Sequence, residues 1–172
     1  MRFRGEGFRA HDPAWSWAPL SGAGAALKGR RFNWPGLPAL YLSLSVNTAF
    51  REVSAGFAHR LTPYVLISYD IDCEDVADLS TEAGRADLSV HLDSLACAWG
   101  DDLIAGREPA SWSVVRQVRA QGFCGALVPS FAGGATAEDV NLVLWDYGPD
   151  RPHKVTAYDP SGKLPKNQLS WA

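Results

Sequence analysis

Two adjacent arginines, Arg30 and Arg31, are followed ten residues after the second by Tyr41 and eleven residues later by Glu52. These are the residue types in the chain best suited to a charged ligand. A guanidinium is planar and donates two hydrogen bonds at once, so it suits phosphate; the plainer use of "GRRFNWPG" is a solvated loop. Glu52 sits in a helix-like run among Ala49, Val53 and Gly56. At 100° per residue, Val46, Phe50, Val53 and Phe57 fall in one arc, the expected packed face, with Glu52 at its edge beside small neighbours. A carboxylate there is placed to point into a cleft. The alternative is a boundary glutamate that reaches water or pairs with Arg51 or Arg60. Tyr41 lies in "PALYLSLS", where Leu40, Leu42 and Leu44 alternate with Ala39, Tyr41, Ser43 and Ser45. It therefore belongs to the less apolar strand face, either facing the same cleft or serving as a half-buried strand tyrosine.

These residues need turn, strand and helix in sequence to carry them, and the pattern supplies all three. Ser45 is the expected N-cap of the helix beginning at Val46, with Asn47 the alternative if the helix starts later. "TPYVLISYDID" is apolar enough for a central strand. "ASWSVVRQVRAQG" places Trp112, Val115 and Val118 three apart and ends at Gly122, a plausible C′ residue. "GALVPS", "VNLVLWDYG" and "HKVTAYDP" read as three more strands, and Asp75 to Gly106 as a helical and looped segment anchored by Leu79, Leu88, Leu92 and Leu95. The expectation is an α+β domain of at least five strands with two or three helices.

The chain has 172 residues, 47% of them hydrophobic, and no repeat or low-complexity tract divides it. One domain is expected over 1–172, with a core at about 3–160 and a polar tail at about 161–172 that carries Leu164, Leu169 and Trp171. A net charge of −3 gives no global attraction to nucleic acid or anionic lipid, and direct binding to either is not expected. Cys73, Cys97 and Cys124 are odd in number and widely spaced, and the four histidines lack ligand spacing, so neither a disulfide framework nor a metal is expected. With no long apolar run and no signal-like N-terminus, cytoplasm is the expected location.

The stretch "GRRFNWPGLPALYLS" with Arg31, "AFREVS" with Glu52, and "LVPS" with Ser130 resembles the RES-domain family, bacterial toxins named for signature Arg, Glu and Ser residues. "VNLVLW", containing Asn141, is similar to the family's Asn-bearing strand, and "FRGEGF" to its opening strand. The likeness runs from about residue 3 to 160. Phe32 stands where many relatives carry Trp or Tyr. The resemblance implies a split mixed β-sheet like that of the diphtheria-toxin-type ADP-ribosyltransferases, with flanking helices and NAD+ as substrate. It also implies the toxin half of a type II toxin–antitoxin pair, held by a helix-turn-helix, Xre-like antitoxin that covers the cleft. The implied activity is mono-ADP-ribosyl transfer or NAD+ degradation, with water, phosphate or a protein accepting ADP-ribose.

The implied chemistry accounts for the residue types. Nicotinamide leaves a cationic pyridinium as a neutral base, so the leaving group needs no general acid; the oxocarbenium-like ribose needs stabilisation. Glu52 would supply it, accepting from the ribose 2′-hydroxyl beside the developing charge. Tyr41 would stack on the nicotinamide ring, Arg31 would clamp phosphate, Ser130 would bond Glu52 or the ribose, and Asn141 would be a supporting donor.

Two other readings stay open on sequence. "GFCGA" is similar to a nucleophile elbow, so a hydrolase using Cys124 or Ser130 is conceivable, although position 126 is Ala and a strand follows instead of a helix. The plainer role of Cys124 is a buried small side chain. A non-catalytic nucleotide- or partner-binding module is the other, its seven tryptophans, including Trp15, Trp17 and Trp34, offering a recognition surface.

Overall fold

The computed structural model describes residues 1–54 and 63–171. Seven strands form one sheet: β1 (Phe3–His11), β2 (Leu40–Ser43), β3 (Val65–Cys73), β4 (Val76–Asp78), β5 (Gly125–Pro129), β6 (Val140–Leu144) and β7 (His153–Ala157). Their spatial order is β4-β5-β6-β2-β1-β3-β7. Only β4 and β5 run parallel; the other neighbours are antiparallel, so the sheet is mixed. β1 meets β2 at a single pair, Phe8 with Ser43, whereas β1 and β3 pair along their full lengths. The sheet is thus nearly parted at its middle, in keeping with the split sheet that the resemblance implied.

Alternation sorts the side chains into two cores. From β2 and β6, Leu40, Leu42, Leu142 and Leu144 turn to one face, where they meet Ile67, Tyr69, Ile71 and Val155 from the other half of the sheet. Ala39 and Val143 turn to the opposite face and pack with Val115 and Val118 of helix α6 (Ala110–Ala120). Periodicities of two and 3.6 dock on each other here. α6 ends as expected, with Gly122 at φ 90°.

The remaining helices are α1 (Ala23–Lys28), α2 (Val46–Ser54), α3 (Glu82–Asp87), α4 (Leu92–Leu95) and α5 (Trp99–Ile104). Helices therefore exceed the two or three expected, because Asp75 to Gly106 holds three short ones as well as β4. Within that segment Leu79 and Leu95 are buried, but Leu92 is exposed and anchors nothing. β3 is interior to the sheet yet next to last in it. The expected tail is partly folded: the Asp159 carboxylate accepts from the backbone N–H groups of Lys163 and Leu164 at 2.8 and 2.9 Å, and Leu164 packs on the second core.

Candidate functional site

The turn carrying Arg31 is built before any ligand is considered. Gly29 enters it at φ 75°, where a Cβ would come within 3.0 Å of the Asn33 carbonyl oxygen, so the position favours glycine. Arg30 and Asn33 then close a small bridge with N–H to carbonyl bonds of 2.8 and 3.3 Å. The indole N–H groups of Trp112 and Trp145 donate to the Arg30 and Phe32 carbonyls, each at 2.8 Å, and Ser111 Oγ donates to the Arg31 carbonyl. Asn33, fully buried, donates to the Ala25 and Leu37 carbonyls at 2.9 and 3.0 Å. Beyond the Arg30–Asn33 bridge, the carbonyls of residues 30 to 32 are met by side-chain donors, which is how an irregular turn can be buried without unpaired groups.

Tyr41 belongs to the same construction. Its hydroxyl donates to Asn33 Oδ1 at 2.8 Å and accepts from the Phe32 N–H at 3.1 Å, and burial pushes its pKa up. The expected face is right, since Ala39 and Tyr41 lie opposite Leu40 and Leu42. The polar end of Tyr41, however, holds the arginine turn. Tyr41→Phe leaves both partners unpaired, so a loss of about 1–3 kcal/mol is expected, read as a lower urea midpoint at unchanged slope.

Arg31 leaves this turn half-buried. One of its terminal nitrogens donates to the Leu95 and Cys97 carbonyls at 2.9 and 2.6 Å, and its guanidinium carbon lies 4.6 Å from the centre of the Phe131 ring. Burial lowers its pKa, opposed by Cys97 and by Glu52, so the arginine and the glutamate feel each other's charge. Guanidinium remains cationic under such a shift. Its Nε and second terminal nitrogen make no hydrogen bond among the described residues, which leaves two donors for an anion.

Glu52 is presented by α2. Ser45 caps that helix as expected, its Oγ accepting from the Thr48 N–H at 3.0 Å. The buried face is not the one that apolar spacing indicated. Thr48 and Ala49 are buried, while Val46 and Phe50 are 37% and 44% exposed. Thr48 Oγ1 donates to Asp139 Oδ1 at 2.7 Å, and the Thr136 backbone N–H donates to Oδ2 at 2.8 Å. These bonds hold the Asp139 carboxyl below the usual carboxylate range, with Arg51 adding to the effect. A polar latch thus orients the helix where a greasy face was expected. Gly56, Phe57 and Arg60 lie outside the described residues.

The carboxylate is exposed and half fixed. Ser130 Oγ donates to Glu52 Oε1 at 2.7 Å, and Asn141 Nδ2 donates to the same oxygen. Asn141 is itself oriented, its Oδ1 accepting from Ser43 Oγ at 2.7 Å, and Ser130 Oγ accepts from the Ala132 N–H at 3.2 Å. Oε2 makes no hydrogen bond among the described residues. One oxygen is therefore held by two donors and the other faces outward, able to accept from a ligand hydroxyl.

Glu52, Ser130 and Asn141 thus meet directly. Arg31 joins them through its charge and through Phe131, the residue after Ser130, while Tyr41 acts from beneath the turn. Sequence reasoning missed Ser43, Thr48, Phe131 and Asp139. Only Ser43 had a signal, its place two residues from Tyr41 on the same strand face. Cys124 is 2% exposed and donates to the Glu74 carbonyl at 3.0 Å, and the neighbouring Cys73 together with burial drives its thiol pKa upward, opposite to what a nucleophile needs. Trp15 and Trp17 are exposed, whereas Trp34 is half-buried under the Arg116 and Arg119 guanidiniums, 4.9 and 5.8 Å from its ring centre. Among the described residues, no group of three or more His, Cys, Asp and Glu is placed for a metal, and no helix is long and apolar enough to cross a membrane.

A nearly parted mixed sheet carries Glu52 against Ser130 and Asn141, with the Arg31 guanidinium beside Phe131, the residue after that serine, and together these define an α+β domain. The model of the RES domain matches residues 6–167, and the chain belongs to that family. A chain of the crystal structure of the M. tuberculosis MbcT–MbcA toxin–antitoxin complex matches at a TM-score of 0.60 and 26% identity, covering 92% of this chain and 84% of that one. No curated protein matches the sequence.

Proposed function

We propose that this protein is the toxin of a toxin–antitoxin pair and acts on NAD+, breaking the bond between nicotinamide and ribose. The observation that carries the reading is the Glu52 carboxylate, with Oε1 held by Ser130 and Asn141 and Oε2 without a hydrogen bond among the described residues. In the reaction the C1′–N bond breaks and its electron pair goes to the nicotinamide nitrogen, which leaves neutral. The positive charge that develops on the ribose is met by Glu52, whose free oxygen accepts from the 2′-hydroxyl. Because the carboxylate is fixed before substrate arrives, its field needs no reorganisation in the transition state. Arg31 binds the pyrophosphate through the two donors that its backbone contacts leave over. Ser130 positions Glu52, since its O–H already donates a hydrogen bond to the carboxylate. Water, phosphate or a protein nucleophile then takes ADP-ribose at C1′.

Nicotinamide release from NAD+, compared with a Glu52→Gln control, tests the reaction. Mass spectrometry of the products separates free ADP-ribose from ADP-ribose on a protein. No release above the control, with folded protein and alternative acceptors supplied, overturns it.

The family resemblance and the complex in which the structural neighbour was solved support an antitoxin partner, with its cover of the cleft and its helix-turn-helix, Xre-like architecture carried over from the resemblance alone. Such a partner binds only the folded toxin, so at about a hundred times its Kd it should stabilise the toxin by about 2.7 kcal/mol, seen as a raised melting temperature. Co-expression without co-purification or a melting shift counts against the pairing.

A further inference from the structure

Arg30 and Arg31 are adjacent, yet their side chains serve different places. Arg31 turns to the Leu95 and Cys97 carbonyls, whereas Arg30 lines a groove of about 380 Å³ between α1 and α5. That volume lies within the range of small-molecule sites, about 300–1,000 Å³. Leu103 forms an apolar wall, Leu27, 79% exposed, borders the opening, Trp99 contributes an indole, and Lys28 and Arg30 supply cations. No ion pair neutralises either cation among the described residues. Arg9, chiefly lowered in pKa by burial, is close enough to Arg30 to be lowered by it as well, so uncompensated positive charge extends past the groove.

The groove and the seat of Arg31 share a wall. The Cys97 carbonyl accepts from Arg31 at 2.6 Å and from the Trp99 N–H at 2.8 Å, so one short turn supports Arg31 and presents Trp99 to the groove. Gly24 and Gly100 also line it, and a Cβ built on either meets no atom within 4 Å. Bare backbone therefore borders open space on both helices.

We infer that this groove receives the adenosine monophosphate end of the dinucleotide, with the base against Trp99 and its phosphate met by Lys28 and Arg30, while Arg31 holds the neighbouring phosphate. The assignment rests on the proposed use of NAD+. A purine fits the chemistry because a flat π-face stacks on an indole whatever its edge pattern, and the adjacent phosphate matches the cationic end. An acidic segment of a protein partner would satisfy the cations but would leave the indole unused.

The probe is AMP, titrated into the whole protein by calorimetry. Arg30→Ala removes a phosphate donor, and Gly100→Leu fills the groove from a position where the protein itself has room. Each variant is expected to raise the Kd for AMP and the KM for NAD+ by about fivefold or more, the loss typical of one charge-assisted contact, with a smaller change in kcat and a melting temperature near the parent's. AMP that fails to bind at millimolar concentration, or binds both variants like the parent, overturns the assignment. So do variants that lose only antitoxin capture, since the groove then belongs to the partner. Cleavage that depends on Glu52 while both variants keep the parent KM removes the groove and leaves the reaction standing. AMP binding lost in both variants without any NAD+ cleavage removes the reaction and leaves the groove as a mononucleotide site.

Discussion

Glutamine in place of Glu52 lowers nicotinamide release by about a hundredfold or more, equivalent to about 3 kcal/mol of transition-state stabilisation, with little change in fold or in KM. The size follows from what the change removes. Glutamine keeps the shape of the side chain and one oxygen that Ser130 and Asn141 can still address. It lacks the negative charge, and that charge matters only when the ribose becomes positive, so the loss falls on kcat. The helix itself should not notice: α2 is oriented by the Ser45 cap and the Thr48 to Asp139 bond, neither of which involves Glu52. Single-turnover release at saturating NAD+ reads the effect. A Glu52→Gln enzyme within fivefold of the parent would show that the carboxylate does not carry the chemistry.

The path of the chain was legible because alternation and capping are local. Leu40, Tyr41, Leu42 and Ser43 read as a strand from their order alone, Ser45 as a cap from its hydroxyl before an amphipathic run, and Gly122 as a helix end from its freedom at positive φ. The packing of α2 was not legible, because apolar spacing assumes that the buried side is the greasy one. Here Thr48 and Ala49 are buried since a small side chain and a hydroxyl fit against β1 and β2, and the hydroxyl finds Asp139, which is 91 residues away in sequence. β4 escaped notice for a related reason: three residues hold no period, and only parallel pairing to β5 defines them. Tyr41 illustrates a subtler limit. Its face could be read from alternation, but the direction of its hydroxyl depends on Asn33, whose own burial is decided by α1 and the Trp34–Leu37 turn.

The arrangement places rigidity where the proposed reaction needs it. Two indoles, a serine and a tyrosine hold the backbone of residues 30 to 32, Asn33 ties the turn to the Ala25 and Leu37 carbonyls, and the result is one arginine with fixed direction. Glu52 stands on a helix whose exposed side, Val46 and Phe50, has no such support among the described residues. In the proposed reaction, the phosphate end of NAD+ would therefore be met by the better-determined half of the site. The carboxylate relies instead on Ser130 and Asn141, which are themselves tied to the sheet through Ser43 and to the loop through Ala132.

Acid is expected to weaken the fold well above the range in which carboxylates titrate, through His11. His11 is 4% exposed at the end of β1, and the Tyr69 hydroxyl, which donates to the Pro19 carbonyl at 2.9 Å, is left to accept from His11 Nε2 at 2.6 Å. Burial, with Arg9 adding like-charge repulsion, pushes the imidazole pKa down to about 3 from 6.5. The folded protein thus keeps His11 neutral where the unfolded chain binds a proton. Stability from this group is fully present above pH 6.5 and falls as pH drops toward 3, by about 2 kcal/mol at pH 5 and about 3 to 4 kcal/mol at pH 4. Carboxylates such as Asp139 and Asp159, whose pKa values are lowered by their hydrogen bonds, act in the same direction, but their contribution is lost only as pH falls through the ordinary carboxylate range and below it. The interval from pH 6.5 to pH 5 therefore separates the histidines from the carboxylates, and a variant singles out His11. Urea midpoints of the parent at pH 7.5 and pH 5 should differ by the amount given, and His11→Gln, which retains a donor for the Tyr69 oxygen but takes up no proton, should lose most of the difference. Equal pH dependence in parent and variant would place the acid sensitivity elsewhere.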